Sequence, residues 1–138
     1  HSDNLCICSF KDFIKSHLNK PKECLMTMMT FNTTDPSSCG IVELNNKNVV
    51  NNFYEKVNNP PSNLANAAVY IMSNKIFEFI ESTPSIVHDI SLDLIPRLKN
   101  KIYAWHNTVY NKDIGTPNAL KEARVDINKY IKFIKDNF

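Results

Sequence analysis

The sequence has little glycine: only Gly40 and Gly115 occur in 138 residues, beside seven prolines. Glycine is the residue that best tolerates backbone positions closed to other side chains. We therefore expect each of the two to mark a position that a side chain would spoil. Asparagine is abundant, and we expect it to fill many turn positions that glycine fills in other proteins.

Other features are also missing, and each absence excludes a class of protein. No apolar run approaches the ~20 residues that span a bilayer. A net charge of +2 is too small to indicate binding to nucleic acid or to an anionic membrane. Residues 1–10 have no basic region followed by a hydrophobic stretch, so we do not expect a signal peptide. The four cysteines form no C-x-x-C pair, which favours free thiols in a reducing cytoplasm.

The common catalytic motifs are absent as well. The sequence contains no G-x-S-x-G elbow, no Walker loop and no G-x-G-x-x-G fingerprint. The four histidines, at positions 1, 17, 88 and 106, lack the spacing of metal ligands, so a structural zinc site is not expected. These patterns give no support to serine or cysteine nucleophiles.

The residues that are present predict strands and helices that interleave along the chain. Periodicity predicts helices at 10–19 and 74–82 and a capped helical segment within 85–100. Apolar runs predict strands at 24–31 and 65–73, a hairpin with an Asn-Asn turn at 40–56, and one or two strands in 101–113. In the helix at 74–82, Ile76, Phe77 and Ile80 are expected to face inward. This order indicates a single layered α/β or α+β domain.

A last helix begins after the sequence DIGTP, residues 113–117. Thr116 is predicted to cap it and Pro117 to occupy its first position. An apolar stripe then recurs at helical spacing, formed by Leu120, Ala123, Ile127, Ile131 and Ile134. Asp113 thus stands just before a short turn. It is either a carboxylate placed for function or an aspartate that only stabilises the turn.

Several charged residues lie beside breaks in the predicted elements: Asp3, Glu43, Glu55, Lys56 and Asp113. Taken singly, each is more typical of a solvated surface or a turn than of catalysis. Periodicity alone therefore predicts a soluble cytoplasmic α/β domain and no more.

The ordered set of short motifs is more informative. These motifs are HSDN (1–4), GIVEL (40–44), FYEKV (53–57), SNLANAAVYIMS (62–73), HDISLDLIPRL (88–98) and DIGTP (113–117). In this order the chain resembles the sugar-phosphate nucleotidyltransferases over about residues 1 to 125. Within that family it most resembles the enzymes that act on mannose 1-phosphate or a heptose 1-phosphate.

The resemblance implies a Rossmann-like, three-layer α/β fold with a mixed sheet. It also implies that residues 1–138 form the C-terminal, sugar-phosphate-binding portion of a single catalytic domain. The glycine-rich G-x-G-T-R segment with which the family opens is absent from this sequence. We therefore expect the chain alone to be inactive and to expose a sheet edge. Such an edge favours either self-association into a homo-oligomer or pairing with a missing part.

The implied reaction is Mg²⁺-dependent transfer from a nucleoside triphosphate, GTP being favoured, to a sugar 1-phosphate. The product would be an activated sugar for lipopolysaccharide or capsule synthesis, with no nucleic acid or membrane as partner. By resemblance, Asp3 and Asp113 hold the metal, and we expect strand ends to bring them together at the carboxyl edge of the sheet. Residues matching the sugar 1-phosphate site are Gly40, Glu55, Lys56 and Asn66, of which Lys56 contacts the phosphate.

Two positions depart from the family pattern. Val57 follows the Glu-Lys pair where the family usually has proline, and Ala68 stands where the family often has glycine. The alanine implies an altered or smaller sugar pocket. A rival hypothesis is a non-catalytic module that binds sugar phosphates, which would keep Gly40, Glu55 and Lys56 and would have no use for two metal-binding aspartates.

Overall fold

The strands and helices of the protein interleave along the chain as the sequence predicts. A computed structural model describes residues 3–137, so His1 and Ser2 of the first motif lie outside the described residues. The strands are β1 (Asn4–Ile7), β2 (Met26–Asn32), β3 (Gly40–Leu44), β4 (Val50–Glu55), β5 (Leu64–Met72), β6 (Ile102–His106) and β7 (Tyr110–Asp113). The α-helices are α1 (Phe10–Leu18), α2 (Lys75–Glu81), α3 (Ile95–Arg97), α4 (Pro117–Asp126) and α5 (Ile131–Asn137). A π-helical turn (Ile90–Leu94) precedes α3, and 3₁₀ turns occupy Pro36–Ser38 and Ile127–Tyr130.

The strands form two separate sheets. The main sheet has five strands in the order β4-β3-β5-β2-β6, and within it β2 and β6 are parallel whereas the other pairs are antiparallel. Strands β1 and β7 pair antiparallel in a two-stranded sheet. The segment 101–113 therefore forms two strands that belong to different sheets. Within residues 3–137, no helix has the length and apolar content required for a membrane span.

Helices cover both faces of the main sheet, which gives the predicted three layers. Successive residues of a strand point to opposite faces, and the central strand β2 shows this directly. Met26 and Met28 belong to one buried cluster with Ile76 of α2 and the α3 region. Met29 packs in a second cluster on the other face with Phe13 of α1. The mixed sheet with helices on both sides is the architecture that the sequence predicts.

The prediction that Phe77 faces inward is wrong. Its side chain is 66% exposed, whereas its neighbour Ile76 is buried. Adjacent residues on a helix are separated by about 100° around its axis, so a narrow contact face can include only one of the two. In α2 that face is formed by Ile76 with the partly buried Phe79 and Ile80.

The apolar stripe predicted for the last helix is only partly buried. Thr116 and Pro117 do begin the helix, but it breaks after Asp126 into a 3₁₀ turn before α5 continues. Because a 3₁₀ turn has fewer residues per turn than an α-helix, positions beyond it rotate off the original face. Ala123 is buried, whereas Leu120 and Ile131 are exposed.

The helical segment predicted within 85–100 begins only at Ile90. Asp89 caps it, since its Oδ1 accepts a hydrogen bond of 2.7 Å from the backbone N–H of Leu92. The π-helical turn and α3 then run from Ile90 to Arg97, close to the end predicted at Pro96. This turn matters for the site, because it carries Ser91 to the wall of a cavity.

Candidate active site

The two aspartates predicted to bind metal lie together at one end of the two-stranded sheet. The first strand pairs Asn4 with Asp113, and the N–H of Ile114 donates to the backbone carbonyl of Asp3 at 2.7 Å. A Cβ built on Gly115 would lie 3.0 Å from Oδ1 of Asp113 and 3.4 Å from Oδ2 of Asp3. Two carboxylate oxygens from distant parts of the sequence thus converge on one point beside a glycine.

The two aspartates meet at strand ends of one sheet, as expected, but not at its carboxyl edge. Asp113 ends β7, whereas Asp3 immediately precedes β1, and the sheet is the smaller, two-stranded one. The physical reason is the antiparallel pairing, which places the beginning of one strand beside the end of the other. The aspartates meet as predicted, by a different route.

Asp113 also stabilises the turn that follows it. Its Oδ1 accepts a 2.7 Å hydrogen bond from the N–H of Gly115, and Thr116 caps α4 through a 3.2 Å bond to the N–H of Ala119. The structure therefore confirms that Asp113 stabilises the turn, which was one of the two interpretations of this residue. The hydrogen bond uses Oδ1 and holds the carboxylate in a fixed orientation, with Oδ2 left outside it.

A single cavity of about 180 Å³ collects most of the predicted site residues. Five of the six line it: Gly40, Glu55, Lys56, Asn66 and Asp113. The sixth, Asp3, directly precedes Asn4, which also lines the cavity. Gly40 and Asp113, which are 73 positions apart in the sequence, therefore line the same cavity.

Gly40 is required by a close contact within the protein. It pairs with Glu55 across β3 and β4. A Cβ at Gly40 would lie 2.7 Å from Oε2 of Glu55 and 2.7 Å from Cζ of Phe53. The bare backbone of this glycine therefore makes room for the Glu55 carboxylate, a role for Gly40 that the sequence did not predict.

Lys56 leaves the strand in an unusual backbone conformation. Its φ is +50°, in the left-handed region, while its N–H still donates to the carbonyl of Cys39 at 3.2 Å. Neighbouring residues of a regular strand point to opposite faces. The left-handed residue breaks that alternation at the end of β4, and both Glu55 and Lys56 line the same cavity.

Burial raises the pKa of the Glu55 carboxyl group. The Lys56 ammonium opposes this shift, and the nearby Asp89 carboxylate adds to it through like-charge repulsion. Glu55 therefore holds a proton at higher pH than an exposed glutamate does.

Asn66 holds a bulge in β5 by two hydrogen bonds of its own side chain. Its Oδ1 accepts from the N–H of Ala68 at 2.9 Å, and its Nδ2 donates to the hydroxyl of Tyr70 at 2.7 Å. The Tyr70 hydroxyl is buried, which raises its pKa, while hydrogen bonds to Asn66 and Ser91 oppose that shift. Asn66 thus lines the cavity and also shapes it.

The cavity is also lined by polar residues that sequence reasoning did not identify, among them Asn4, Ser91 and Asn111. Asn111 stands two positions before Asp113 on β7 and therefore on the same face. That period-two spacing is a signal that could have found it. Ser91 had no such signal, because a π-helical turn has no distinctive sequence pattern.

The two aspartates fit a magnesium ion better than a metal that takes a full set of protein ligands. Within the described residues 3–137, no group of three or more His, Cys, Asp or Glu side chains could hold a metal. Mg²⁺ is commonly bound by one or two carboxylates, with substrate phosphates and water completing its shell. The space beside Gly115, which a Cβ would fill, lies between two such carboxylate oxygens.

The model of the nucleotidyl transferase family matches residues 1–130 of the sequence. The chain belongs to the nucleotidyl transferase family. The match covers every predicted site residue, from Asp3 to Asp113.

Several curated members of this family are similar in sequence. The glucose-1-phosphate adenylyltransferase of Bacillus subtilis is 28% identical over 134 residues, which are 92% of this chain and 35% of that protein. The bifunctional protein GlmU of Methanococcus aeolicus is 38% identical over 110 residues, 76% of this chain and 27% of that protein. The mannose-1-phosphate guanylyltransferase catalytic subunit beta of Drosophila melanogaster is 30% identical over 119 residues, 85% of this chain and 31% of that protein. This nucleotidyl transferase chain thus spans between 27% and 35% of the length of these relatives.

A solved structure has the same fold. It is a protein from Bacillus anthracis assigned as a glucose-1-phosphate thymidylyltransferase, with a TM-score of 0.73 and 19% sequence identity. The superposition covers 89% of this chain and 50% of that protein. The α/β nucleotidyltransferase fold is therefore confirmed. The names of the relatives include adenylyl, guanylyl and thymidylyl transfer, so family membership alone does not select a base.

Proposed function

We propose that the complete protein transfers a nucleotidyl group from a nucleoside triphosphate to a sugar 1-phosphate. In this proposal residues 1–138 supply the sugar-phosphate-binding portion of its catalytic domain. The observation that carries it is the shared cavity, in which Glu55, Lys56 and Asp113 meet in a chain of this family.

The reaction makes one bond and breaks one. An oxygen of the sugar phosphate attacks the α-phosphorus of the triphosphate, and the bond from that phosphorus to the β-phosphate oxygen breaks, releasing pyrophosphate. The attacking oxygen is already an anion, so no general base is needed. The difficulty is to bring two polyanions together and to stabilise the charge on the transferred group.

Lys56 is suited to bind the phosphate of the sugar substrate. Within residues 3–137 no hydrogen bond or ion pair occupies its ammonium group. A lysine acts toward phosphate as a flexible point charge, and this one lies at the cavity wall beside Glu55. Glu55 would accept hydrogen bonds from sugar hydroxyls.

Asp3 and Asp113 would hold Mg²⁺. When bound, this ion would neutralise phosphate charge beside the reacting group. The two side chains lie at the same end of one antiparallel strand pair, one at the start of β1 and one at the end of β7, and the hydrogen bond from Gly115 fixes Asp113 in place.

GTP and mannose 1-phosphate are the first substrates to test, and the product would serve surface polysaccharide synthesis. The support is the similarity to the mannose-1-phosphate guanylyltransferase subunit of Drosophila melanogaster over 85% of this chain. The four common nucleoside triphosphates should be compared in one assay, because the similar proteins differ in the nucleotide they are named for.

The proposal is tested with the complete protein by measuring pyrophosphate release with and without Mg²⁺. We expect Asp3→Asn and Asp113→Asn to lower turnover by about 100-fold or more, since both would weaken charge stabilisation at the reacting group. Asparagine is the better replacement at position 113, because its Oδ1 can still accept the hydrogen bond from Gly115. Asp136→Asn is a matched control, since Asp136 is exposed and lies beyond the family match.

Two results would contradict the proposal. Mg²⁺-dependent turnover retained in both aspartate variants would show that these residues do not hold the metal. Sugar 1-phosphate binding without Mg²⁺ and without any turnover in the wild-type protein would instead support the non-catalytic module.

A further inference from the structure

One wall of the cavity is formed by a bulge in β5. The ladder between β2 and β5 pairs Thr30 with Asn66 and Met28 with Tyr70. One residue of β2, Met29, therefore faces the three residues 67–69 of β5. The extra length of β5 must leave the plane of the sheet, and both Ala67 and Ala68 line the cavity.

The bulge holds Ala68 in the left-handed region, with φ of +55°. An L-residue in this region crowds its Cβ against the backbone, which is why glycine or asparagine is usual there. The 2.9 Å hydrogen bond from the N–H of Ala68 to Asn66 maintains the conformation, and Asn66 is itself anchored to Tyr70. The Ala68 methyl group is therefore held in a fixed position.

The space beside Gly40, another residue that lines the cavity, is also filled. At Gly40 the space that a side chain would take is occupied by the Glu55 carboxylate and the Phe53 ring. The cavity measures about 180 Å³ and is partly open to solvent. A larger ligand gains no extra volume at Gly40, because that space is already filled. At Ala68 it would contact a methyl group whose backbone is held by the hydrogen bond to Asn66.

We propose that Ala68 sets the size limit of the sugar site, so that the cavity takes a plain hexose 1-phosphate and excludes an N-acetylated hexosamine 1-phosphate. An acetamido group adds a planar substituent of three heavy atoms beyond the nitrogen, whereas a hydroxyl group adds one oxygen. This inference rests on the proposed function and names the substrate class of the same site.

The effect of one methyl group in a close-fitting pocket is known in order of magnitude. A single added or missing methylene changes discrimination by about 10 to 200-fold. We therefore expect Ala68→Gly to raise kcat/KM for an N-acetylhexosamine 1-phosphate, relative to the parent hexose 1-phosphate, by about tenfold or more.

The experiment uses the complete protein with mannose 1-phosphate, glucose 1-phosphate and N-acetylglucosamine 1-phosphate. Pyrophosphate release is measured with the preferred nucleoside triphosphate, and binding of each sugar phosphate is measured by calorimetry. Asn100→Gly is the matched control, because Asn100 is also left-handed, with φ of +62°, but does not line the cavity. Ala68→Ser is a second variant, which keeps a side chain at the proposed limit.

The expected result is that wild type, Ala68→Ser and Asn100→Gly reject the N-acetylated substrate, while Ala68→Gly accepts it. A wild-type protein that uses the N-acetylated substrate as well as the plain hexoses would overturn the proposal. So would an Ala68→Gly variant that folds, as judged by its thermal transition, with unchanged selectivity. If the wild type binds and turns over no sugar 1-phosphate, the proposed function fails and the role of Ala68 fails with it.

Discussion

Replacing Gly115 by alanine would place a methyl group between the two aspartates without changing any charge. The added Cβ would lie 3.0 Å from Oδ1 of Asp113 and 3.4 Å from Oδ2 of Asp3. The first distance is tighter than ordinary contact, so the Asp113 carboxylate must move. Gly115 does not have a positive φ, so alanine can adopt its backbone conformation.

Two effects on stability nearly cancel in this variant. Moving Asp113 weakens its hydrogen bond with the N–H of Gly115, and an ordinary hydrogen bond contributes about 0.5–1.5 kcal/mol net. Alanine in place of glycine restricts the unfolded chain, which raises the free energy of unfolding by about 0.4–1 kcal/mol. We therefore expect the free energy of unfolding to stay within about 1 kcal/mol of the wild type.

The effect on activity should be larger, because the methyl group would occupy the space between the two proposed metal ligands. A misplacement of about 1 Å in a catalytic group can cost about 100-fold in rate. Asp113 needs to shift by only a few tenths of an ångström, so we expect a loss of about tenfold in pyrophosphate release. The concentration of Mg²⁺ needed for half-maximal turnover should rise as well, because the methyl group would displace Asp113 and fill space between the two proposed ligands.

The assay is a Mg²⁺ titration of pyrophosphate release by the complete protein, with urea unfolding of the same samples. Asn118→Ala is the control, since it changes an exposed residue of the next turn without adding an atom between the carboxylates. A Gly115→Ala variant with wild-type turnover and unchanged Mg²⁺ dependence would refute the reasoning. A large loss of stability would show instead that the turn, and not the metal site, is disturbed.

Two further predictions concern the sugar site. Gly40→Ala should lower the free energy of unfolding by about 1–3 kcal/mol, because its Cβ would lie 2.7 Å from the Phe53 ring and from the Glu55 carboxylate; unchanged urea unfolding would contradict this. The pKa of Glu55 is raised, first by burial and also by the Asp89 carboxylate. If sugar binding needs ionised Glu55, binding is present above this pKa and is lost as the pH falls through it. Asp89→Asn should then move the loss of binding to lower pH, and a pH profile that does not move would count against the role of Glu55.

Much of the architecture could be predicted because it depends on local patterns. Thr116 and Pro117 start α4 as expected, since capping and a fixed proline φ act within one turn. The short apolar run around Met28 forms the buried central strand. What failed was the extent of burial, as at Phe77 and Leu120, because burial depends on which other elements lie nearby.

The site residues were brought together as the motif order implied, but their backbone geometry was not predictable. Lys56 and Ala68 are left-handed, although neither residue type favours that region. The conformation of Lys56 accompanies a tertiary contact, its bond to Cys39, and that of Ala68 accompanies a local bond to the Asn66 side chain within the bulge of β5. A pattern of residue types alone does not carry that information.

Glycine commonly serves two purposes in proteins: it occupies left-handed backbone positions, and it allows close contacts that a side chain would block. In this chain, which has little glycine, different residue types serve the two purposes. Within the described residues no glycine has a positive φ, and the left-handed positions are taken by Asn48, Asn100, Lys56 and Ala68. Asparagine fills two of them, as its abundance suggested. Gly40 and Gly115 serve a different purpose, because each leaves room for a carboxylate: Glu55 at the first and Asp113 with Asp3 at the second. Alanine at the two positions should therefore act differently: at Gly40 it should lower the stability of the protein, and at Gly115 it should mainly disturb the two aspartates.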